Sequence, residues 1–515
     1  MLKKKVSLFL AVLLMLCTVI SAHADLAYTG SGPITDEANA EISVLAQTHN
    51  MANVDILQAP IVQKVVEKSG ISIDWQLIDY NSYSESVAPM LASGNVDADI
   101  IKIPDNDLNQ KYIKSGLFEP LSDHFDWMPN YVAWLEKYPE AKAAMTADDG
   151  KIYYVPKTDE GLNFRPGLMY NQVWLDKAGI QAPTTLDAFV DMLRYFRDND
   201  MNGNGDPSDE IPMSVMGDFL PYMFGPAFGL DLVSEFQADE NGVVTYGYAD
   251  EKNYKDYLVF LNGLYEEGLL EAEYSSLTRE QVIERFSNDL TGVSFDFSWA
   301  MSMMYSAVLP YYDGTADTAV IGVAPLSGTH EGFYVGGRGY SNMFGVNSHS
   351  DKLELAIKFL DFSFSEENQE MYQWGIEGES YVLVDGKKVY TEQASDNDWL
   401  QRLGINPAFL FPANTSKEST YELLPDWHCE IDTWQEQFIH DPWPFIYSTE
   451  EESEVLNKYT VDIETYTKEN QAAFIMGTKS LDRFDEYING FNSLHLPEIL
   501  AIKQAQYTRF FEAMK

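Results

Sequence analysis

Cysteine is almost absent from this chain. It has two, Cys17 and Cys429. Cys17 lies in a stretch that reads as an export signal, so one thiol survives processing and no internal disulfide can form. Basic residues are also scarce: 34 Lys and Arg stand against 80 Asp and Glu, for a net charge of −46. That balance excludes nucleic acid and anionic membrane surfaces as partners, since both demand basic patches. After residue 20 no apolar run approaches the roughly 20 residues of a spanning helix. Neither Gly-x-Ser-x-Gly nor His-Glu-x-x-His occurs, so serine-nucleophile and zinc-hydrolase motifs are missing. There is no internal repeat and no long low-complexity tract.

What is present begins with the leader. Lys3, Lys4 and Lys5 precede an apolar run over 6–20, and Ala22 and Ala24 sit at the two positions a signal peptidase reads. Cleavage after Ala24 makes 1–24 a signal peptide. A lipoprotein signal would place small residues before its Cys. Here Leu14, Met15 and Leu16 precede Cys17, so the chain is expected to be secreted or extracytoplasmic without lipidation. Loss of the three lysines takes −46 to −49. Residues 25–36 read as a flexible tether. About 490 residues remain, too many for one core, because domains stay below about 250 residues.

An α/β rhythm follows. Strand patterns at 41–46, 71–78 and 98–103 alternate with helical spacing at 55–68 and 83–93, which predicts βαβ units and a mostly parallel sheet. Residues 152–155 and 167–170 read as further strands, with a turn-rich crossing over 156–166. Thr184 is expected to cap a helix in which Asp187 bonds back. A Gly-rich stretch over 332–339 reads as a second crossing, and 353–364 as a helix.

The sharpest local signal is Asp198-Asn-Asp-Met-Asn-Gly-Asn-Gly-Asp-Pro-Ser-Asp-Glu210. Ca²⁺ takes six to eight oxygen ligands, and a short loop can wrap one only if alternate side chains point inward and glycines take the tight turns. Asp200, Asn202, Asn204, a backbone carbonyl near Asp206, Asp209 and Glu210 match that pattern. A register from Asp198 resembles an EF-hand more literally but places Asp209 where Glu is usual. The loop ends a helix with no nucleophile or base beside it, so the Ca²⁺ is expected to be structural.

The run Asp149-Gly-Lys-Ile-Tyr-Tyr-Val-Pro156 resembles the lobe-crossing strand of family 1 extracellular solute-binding proteins, the receptors of carbohydrate ABC importers. Leu168-Met-Tyr-Asn-Gln-Val-Trp-Leu-Asp-Lys-Ala-Gly-Ile180 with Pro183-Thr-Thr-Leu186 resembles their next segment. The loop through Asp209-Glu-Ile-Pro212 is similar to the calcium loop of the larger members. Trp374-Gly-Ile-Glu-Gly-Glu-Ser-Tyr381 before Asp385-Gly-Lys387, and the tail from Phe474 to Phe510, match further blocks.

The resemblance implies an α/β, two-lobed periplasmic-binding-protein-like fold of class II, with a ligand cleft at the lobe interface. It implies an N-lobe of 37–160 plus 338–430 and a C-lobe of 161–337 plus 431–515, the calcium loop at 198–210 included. It also implies a monomer that captures a sugar by hinged closure and delivers it to ABC permease subunits. Pyranose rings stack C–H faces on aromatics and need paired polar groups at their rims. Trp299, on the strand-to-loop element 292–299, is therefore the first stacking candidate. Trp374, Tyr381, Tyr154 and Tyr334 follow, with Asp296, Glu160, Arg338 and Glu377 for hydroxyls. His49 and Asn50 follow the first strand, at the end where α/β sheets bind ligands; a polar turn is the other reading. Trp75, Trp134 and Trp174 read as core. Trp427, Trp434 and Trp443 either line the cleft's mouth or join the lobes. The rival functions are a secreted glycan-active enzyme, whose mark would be product formation from oligosaccharides, and a calcium-dependent adhesin, which would show repeated calcium motifs. Among 80 acidic residues no single carboxylate marks the pair a glycosidase needs.

Overall fold

The computed structural model describes residues 28–513 except 52, 105–109, 159–165, 299, 301–303, 305–319, 338 and 408. Its strands are, in chain order, β1 (Glu41–Gln47), β2 (Ser72–Ile78), β3 (Ile100–Lys102), β4 (Tyr154–Thr158), β5 (Pro166–Asn171), β6 (Phe236–Ala238) and β7 (Val244–Tyr246). There follow β8 (Val293–Phe297), β9 (Val320–Gly322), β10 (Tyr334–Val335), β11 (Tyr340–Val346), β12 (Tyr381–Val384), β13 (Lys387–Tyr390) and β14 (Ile439–His440). One sheet runs β2-β1-β3-β11-β4 and another β8-β5-β9. In the first, β1 pairs parallel to β2 and β3, while β11 lies antiparallel to β3 and β4. The second is antiparallel throughout. The parallel βαβ core is thus as the apolar rhythm predicts, and the antiparallel strands are those that enter and leave the lobe.

Local chemistry accounts for the boundaries. The helix expected from residue 55 starts instead at Pro60 and runs to Ser69, with Ile61, Val62 and Val65 buried. Proline lacks the N–H an interior position would donate and suits the first turn. The helix Leu186–Asp198 buries Leu186, Phe189, Met192, Leu193 and Phe196. Its cap is Thr185, whose hydroxyl accepts from the Ala188 N–H at 3.4 Å, and not Thr184 as the spacing suggests. The Thr184 carbonyl is engaged by the Ser327 N–H at 2.9 Å, which ties this stretch to a residue 143 positions away.

Two apolar cores result. The first takes residues of 34–155 and 343–447; the second takes residues of 168–334 and 463–499. The chain passes from the first core to the second between β4 and β5 and returns between β10 and β11. The helix Asp426–Gln435 belongs wholly to the second lobe, because its Gln435 amide donates to the Val323 carbonyl at 2.9 Å. The boundary read at 430 falls inside it. Phe445 and Tyr447 return to the first core before the long helix Glu450–Ile475 lies on the second. Cys429 is the one cysteine among the described residues and is free, so within them apolar burial holds the fold, each fully buried Leu, Ile or Phe adding about 1.5–3 kcal/mol. No helix among the described residues is long and apolar enough to cross a membrane.

Candidate ligand-binding site

The carboxyl end of β8 is held by polar groups on both sides. Asp296 is buried and accepts two bonds from the Arg279 guanidinium, Nε to Oδ2 at 2.7 Å and Nη2 to Oδ1 at 3.0 Å. Its oxygens are committed to Arg279 and to the Phe297 N–H, so it is an anchor of the strand and not a partner for sugar hydroxyls. Ser298 follows. Its hydroxyl donates to Asp432 Oδ1 at 2.6 Å and lies 2.9 Å from His428 Nε2. All three side chains are buried. A serine has one hydroxyl proton, and here it points to Asp432, so the imidazole must donate Nε2–H to Ser298 Oγ. A nucleophilic triad needs the reverse, with the imidazole accepting from serine and the carboxylate on the far ring nitrogen. Burial pushes the His428 pKa down, the Asp432 carboxylate partly opposing it. The cluster is structural.

That cluster brings Trp427 beside the end of β8. The Trp427 ring is half-buried, stacks on His428 with centroids 5.4 Å apart, and packs against the small apolar cluster of Met169, Leu277, Val282, Phe286, Ala300 and Met304. Phe297 is half-buried and meets Tyr222 edge-on at 6.1 Å. Spacing in the sequence did not distinguish Trp427 from its two neighbours. Trp434 is exposed, and Trp443 contacts Phe236 and Tyr507 of the second lobe.

On the first lobe, the loops after β1 and β2 meet at Phe409. His49 meets its ring edge-on at 5.2 Å, and Tyr80, 41 % exposed, does so at 5.7 Å. His49 Nδ1 accepts from the Met51 N–H at 2.9 Å and Nε2 lies 3.1 Å from Gln401 Oε1. With both nitrogens engaged and the pKa lowered by burial, His49 shapes the rim, while Asn50 beside it is exposed. Neither Tyr80 nor Phe409 was legible as a site residue, because Tyr80 opens a single short 3-10 turn and Phe409 lies in a turn, and neither has a periodicity to read.

Several expected ligand contacts are core residues. Tyr154 is 0 % exposed against Phe118. Tyr334 is 2 % exposed and donates to the Val323 carbonyl at 2.7 Å. Neither ring has a face to offer. Trp374 is buried, stacked on Tyr390 at 4.9 Å and beside Tyr381 at 6.0 Å. Together with Tyr381, whose hydroxyl donates to Glu370 at 3.3 Å, it packs beneath the hairpin β12–β13. Glu377 is exposed in the turn before that hairpin. Gly375 there has φ +84°, and a Cβ on it would stand 2.2 Å from Ser380 Oγ, so this block encodes a turn. Trp299, Glu160 and Arg338 lie outside the described residues.

Between the lobes lies a cavity of 960 Å³ lined by Trp134, Tyr138, Tyr340, Asn414 and Trp443, with Gly337 and Gly339 of the crossing. Trp134, read as core from its spacing, packs on Tyr131 and Phe364 of the first core and also forms part of the wall of this cavity. Trp75 and Trp174 do pack inside, Trp75 edge-on to Phe411 and Trp174 donating to Asp289 at 2.9 Å.

The acidic loop closes on itself. Glu210 Oε1 accepts from the Met201 and Asn202 N–H groups at 2.6 and 3.2 Å. Asp200 accepts from Gly203 and Gly205 at 2.6 and 2.9 Å, and both glycines have positive φ, +79° and +92°. The Asn202 and Asn204 amides donate to Asp209 at 3.3 and 2.6 Å. The Asp206 carboxylate is turned to Ser208, which leaves its carbonyl as the donor expected there. Glu210 Oε2 is buried with no donor. Among the described residues no three His, Cys, Asp or Glu side chains converge enough to hold an ion unaided; this loop adds two Asn oxygens. An oxygen-only set with one orphaned buried carboxylate oxygen fits a hard cation such as Ca²⁺.

Residues 50–370 match the model of the bacterial extracellular solute-binding protein family. The chain is 26 % identical over 485 residues to the fructooligosaccharide ABC transporter substrate-binding protein FusA of Streptococcus pneumoniae, covering 87 % of each chain. It is 22 % identical over 437 residues to the polygalacturonan/rhamnogalacturonan-binding protein YtcQ of Bacillus subtilis, covering 81 % of this chain and 82 % of that one. The fold is shared with FusA of S. pneumoniae in complex with kestose, at a TM-score of 0.75 and 22 % identity over 92 % of this chain and 100 % of that one. It is shared equally with the alginate-binding protein AlgQ2 crystallised without calcium ion, at 0.75 and 21 % identity over 92 % and 99 %. A match across more than half its length, on two α/β lobes with a cavity between them, makes this chain a member of the bacterial extracellular solute-binding protein family.

Proposed function

We propose that the protein is the extracytoplasmic substrate-binding component of an ABC importer and that it captures an oligosaccharide between its lobes. The observation that supports this most directly is the Ser298–His428 contact, which sets Trp427 beside the strand end that leads into Trp299. Trp427, with Phe297 and Tyr222 near the same strand end, would make a stacking wall for sugar C–H faces, and Trp299 is proposed as a further stacking residue. Tyr80, Phe409 and Asn50 are its counterpart on the first lobe, and Glu160 and Arg338 on the crossings would pair hydroxyls. The relatives named for fructooligosaccharide and for pectic polymers support a carbohydrate as the solute. Lobe closure about the crossings at 158–166 and 335–340 would enclose the ligand. The protein acts by binding and performs no chemistry. It is exported by its leader, works as a monomer, and hands its sugar to permease subunits. Asp200, Asn202, Asn204, Asp206 through its carbonyl, Asp209 and Glu210 would hold a structural Ca²⁺ that clamps the end of helix Leu186–Asp198.

The test is a thermal-shift screen against a glycan panel, followed by chromatography of each mixture. A ligand that binds only the native state raises its stability. Saturable stabilisation with the glycan recovered intact supports the reading. Release of smaller sugars would replace it with a glycan-active enzyme.

A further inference from the structure

We propose that the cavity beside the crossings is a second ligand site, separate from the stacking wall, and that it takes a neutral saccharide of one or two rings. The cavity measures 960 Å³, within the range of about 300–1,000 Å³ that small-molecule sites occupy. Its place follows from the first-lobe sheet, whose order is β2-β1-β3-β11-β4. Thr158 at the end of β4 and Tyr340 at the start of β11 are paired, and both line the cavity. Tyr80 follows β2, at the other edge of the sheet. Four strand spacings, about 19 Å, separate the two edges. None of Tyr80, Phe409, Tyr222, Phe297 and Trp427 lines the cavity. Its walls come instead from the helix Pro129–Lys137, from the chain at 441–445 and from the end of the last helix at Phe510 and Phe511.

The chemistry of the walls selects the ligand. Trp134 is half-buried, backed by Tyr131 with the rings 12° from parallel at 5.8 Å, and lines the cavity with Tyr138, Tyr340 and Trp443. Such rings stack on the C–H faces of a sugar. Thr415 is their polar counterpart. It lines the same cavity, is 9 % exposed, and its hydroxyl is buried with no hydrogen-bond partner. Its backbone is fixed to the crossing. The Thr415 N–H donates to the Thr158 carbonyl at 2.9 Å, and the Thr158 N–H donates to Asn414 Oδ1 at 2.9 Å. Buried hydroxyls normally have partners. Rings beside an unused hydroxyl therefore suit a molecule that carries both apolar faces and hydroxyl groups. Charge narrows the class further. Glu140, Glu366 and Asp441 line the cavity against Lys137, so the local field repels anions. All three carboxylates are exposed, so none is buried where it would offset the desolvation of a cation.

The probes are glucose, galactose, fructose, sucrose and choline chloride, each titrated against the full chain and followed by saturation-transfer difference NMR. Ala133 is exposed on its helix and lines the cavity, so Ala133→Trp fills the space from outside without disturbing the core. Thr415→Val keeps the shape of the side chain and removes the hydroxyl. We expect at least one neutral sugar to give a saturable signal that Trp427→Ala keeps and Ala133→Trp abolishes. Thr415→Val should weaken that binding by about fivefold, the scale of one hydrogen bond. Thr415 Oγ1 has no partner within the protein, so the urea midpoint of Thr415→Val should stay put or rise. A lowered midpoint would mark the hydroxyl as structural and count against its role in the site. Absence of a saturable signal from every neutral sugar, or binding of choline alone, would overturn the site, and so would a signal that survives Ala133→Trp. A signal lost in Trp427→Ala and kept in Ala133→Trp places the sugar at the stacking wall and removes the second site. Failure of the wall reads differently: larger glycans then ignore Trp427→Ala, while the small-sugar signal still depends on Ala133 and Thr415.

Discussion

Glu210 reaches back nine residues to the N–H of Met201, at 2.6 Å, and leaves its second carboxylate oxygen buried without a donor. One oxygen closes the loop, and the other is a buried acceptor beside the oxygen-bearing side chains of Asp200, Asn202 and Asn204 in the same loop. Loaded with Ca²⁺, the loop should therefore be worth stability. At a free concentration about 100 times its Kd, an ion binding only the native state adds about 2.7 kcal/mol. Differential scanning calorimetry should show a transition that rises by several degrees with millimolar Ca²⁺ and falls with EDTA. Glu210→Gln and Asp200→Ala should each abolish that response. A Ca²⁺-independent melt of the parent would remove the metal.

Site and core aromatics should separate cleanly. Trp427→Ala should weaken the best-binding glycan by about 10- to 100-fold, the scale of a lost aromatic stack plus its buried area, with a small effect on unfolding. Tyr334→Phe should do the opposite. It removes the bond to the Val323 carbonyl and costs about 1–2 kcal/mol in urea while the glycan Kd stays put. Calorimetric titration and urea unfolding of both variants check the pair.

Arg279 and Asp296 should prove strongly coupled. Arg279→Ala strands a buried carboxylate, and such a loss costs about 3 kcal/mol. Asp296→Asn in the same background should restore more than half of that. A double-mutant cycle by urea unfolding tests it, and additive effects would show that the pair does not bind as the 2.7 and 3.0 Å contacts imply.

Stability should also vary with pH through Asp361. This buried carboxylate accepts from the Tyr28 hydroxyl, the Asn130 amide and the Tyr131 N–H at 2.7, 2.9 and 2.8 Å. Burial outweighs those bonds and raises its pKa to about 6. The folded state thus holds its proton more tightly than the unfolded chain does. The resulting stability is fully present below the unfolded pKa of about 4 and is lost as pH rises through about 6, a change on the order of 2 kcal/mol. The difference in unfolding free energy between the parent and Asp361→Asn should shift in that sense between pH 4 and 6.5. A constant difference would show that Asp361 does not titrate there.

The sequence by itself determined the elements, the two lobes and the turns of the acidic loop, because each of these is written in near neighbours. Alternation marks β1 and β2, Pro60 and Thr185 punctuate their helices within a residue or a few, and two glycines set the turns between Asp200 and Asp206. Tertiary structure alone decided which aromatics are available to a ligand. Periodicity reports that one side of Tyr154 or Tyr334 is apolar, and it is silent on whether another element covers that side. The resemblance offered Trp374 and Tyr381 to a cleft where they pack with the hairpin β12–β13, and spacing read Trp134 as core, where it does pack on Tyr131 and Phe364, without showing that it also faces a cavity. The cluster at Ser298 was beyond its reach for the same reason. Its partners His428 and Asp432 lie 130 and 134 residues away, and nothing local in either segment specifies the other. Only the folding of two lobes around several chain crossings puts them in contact.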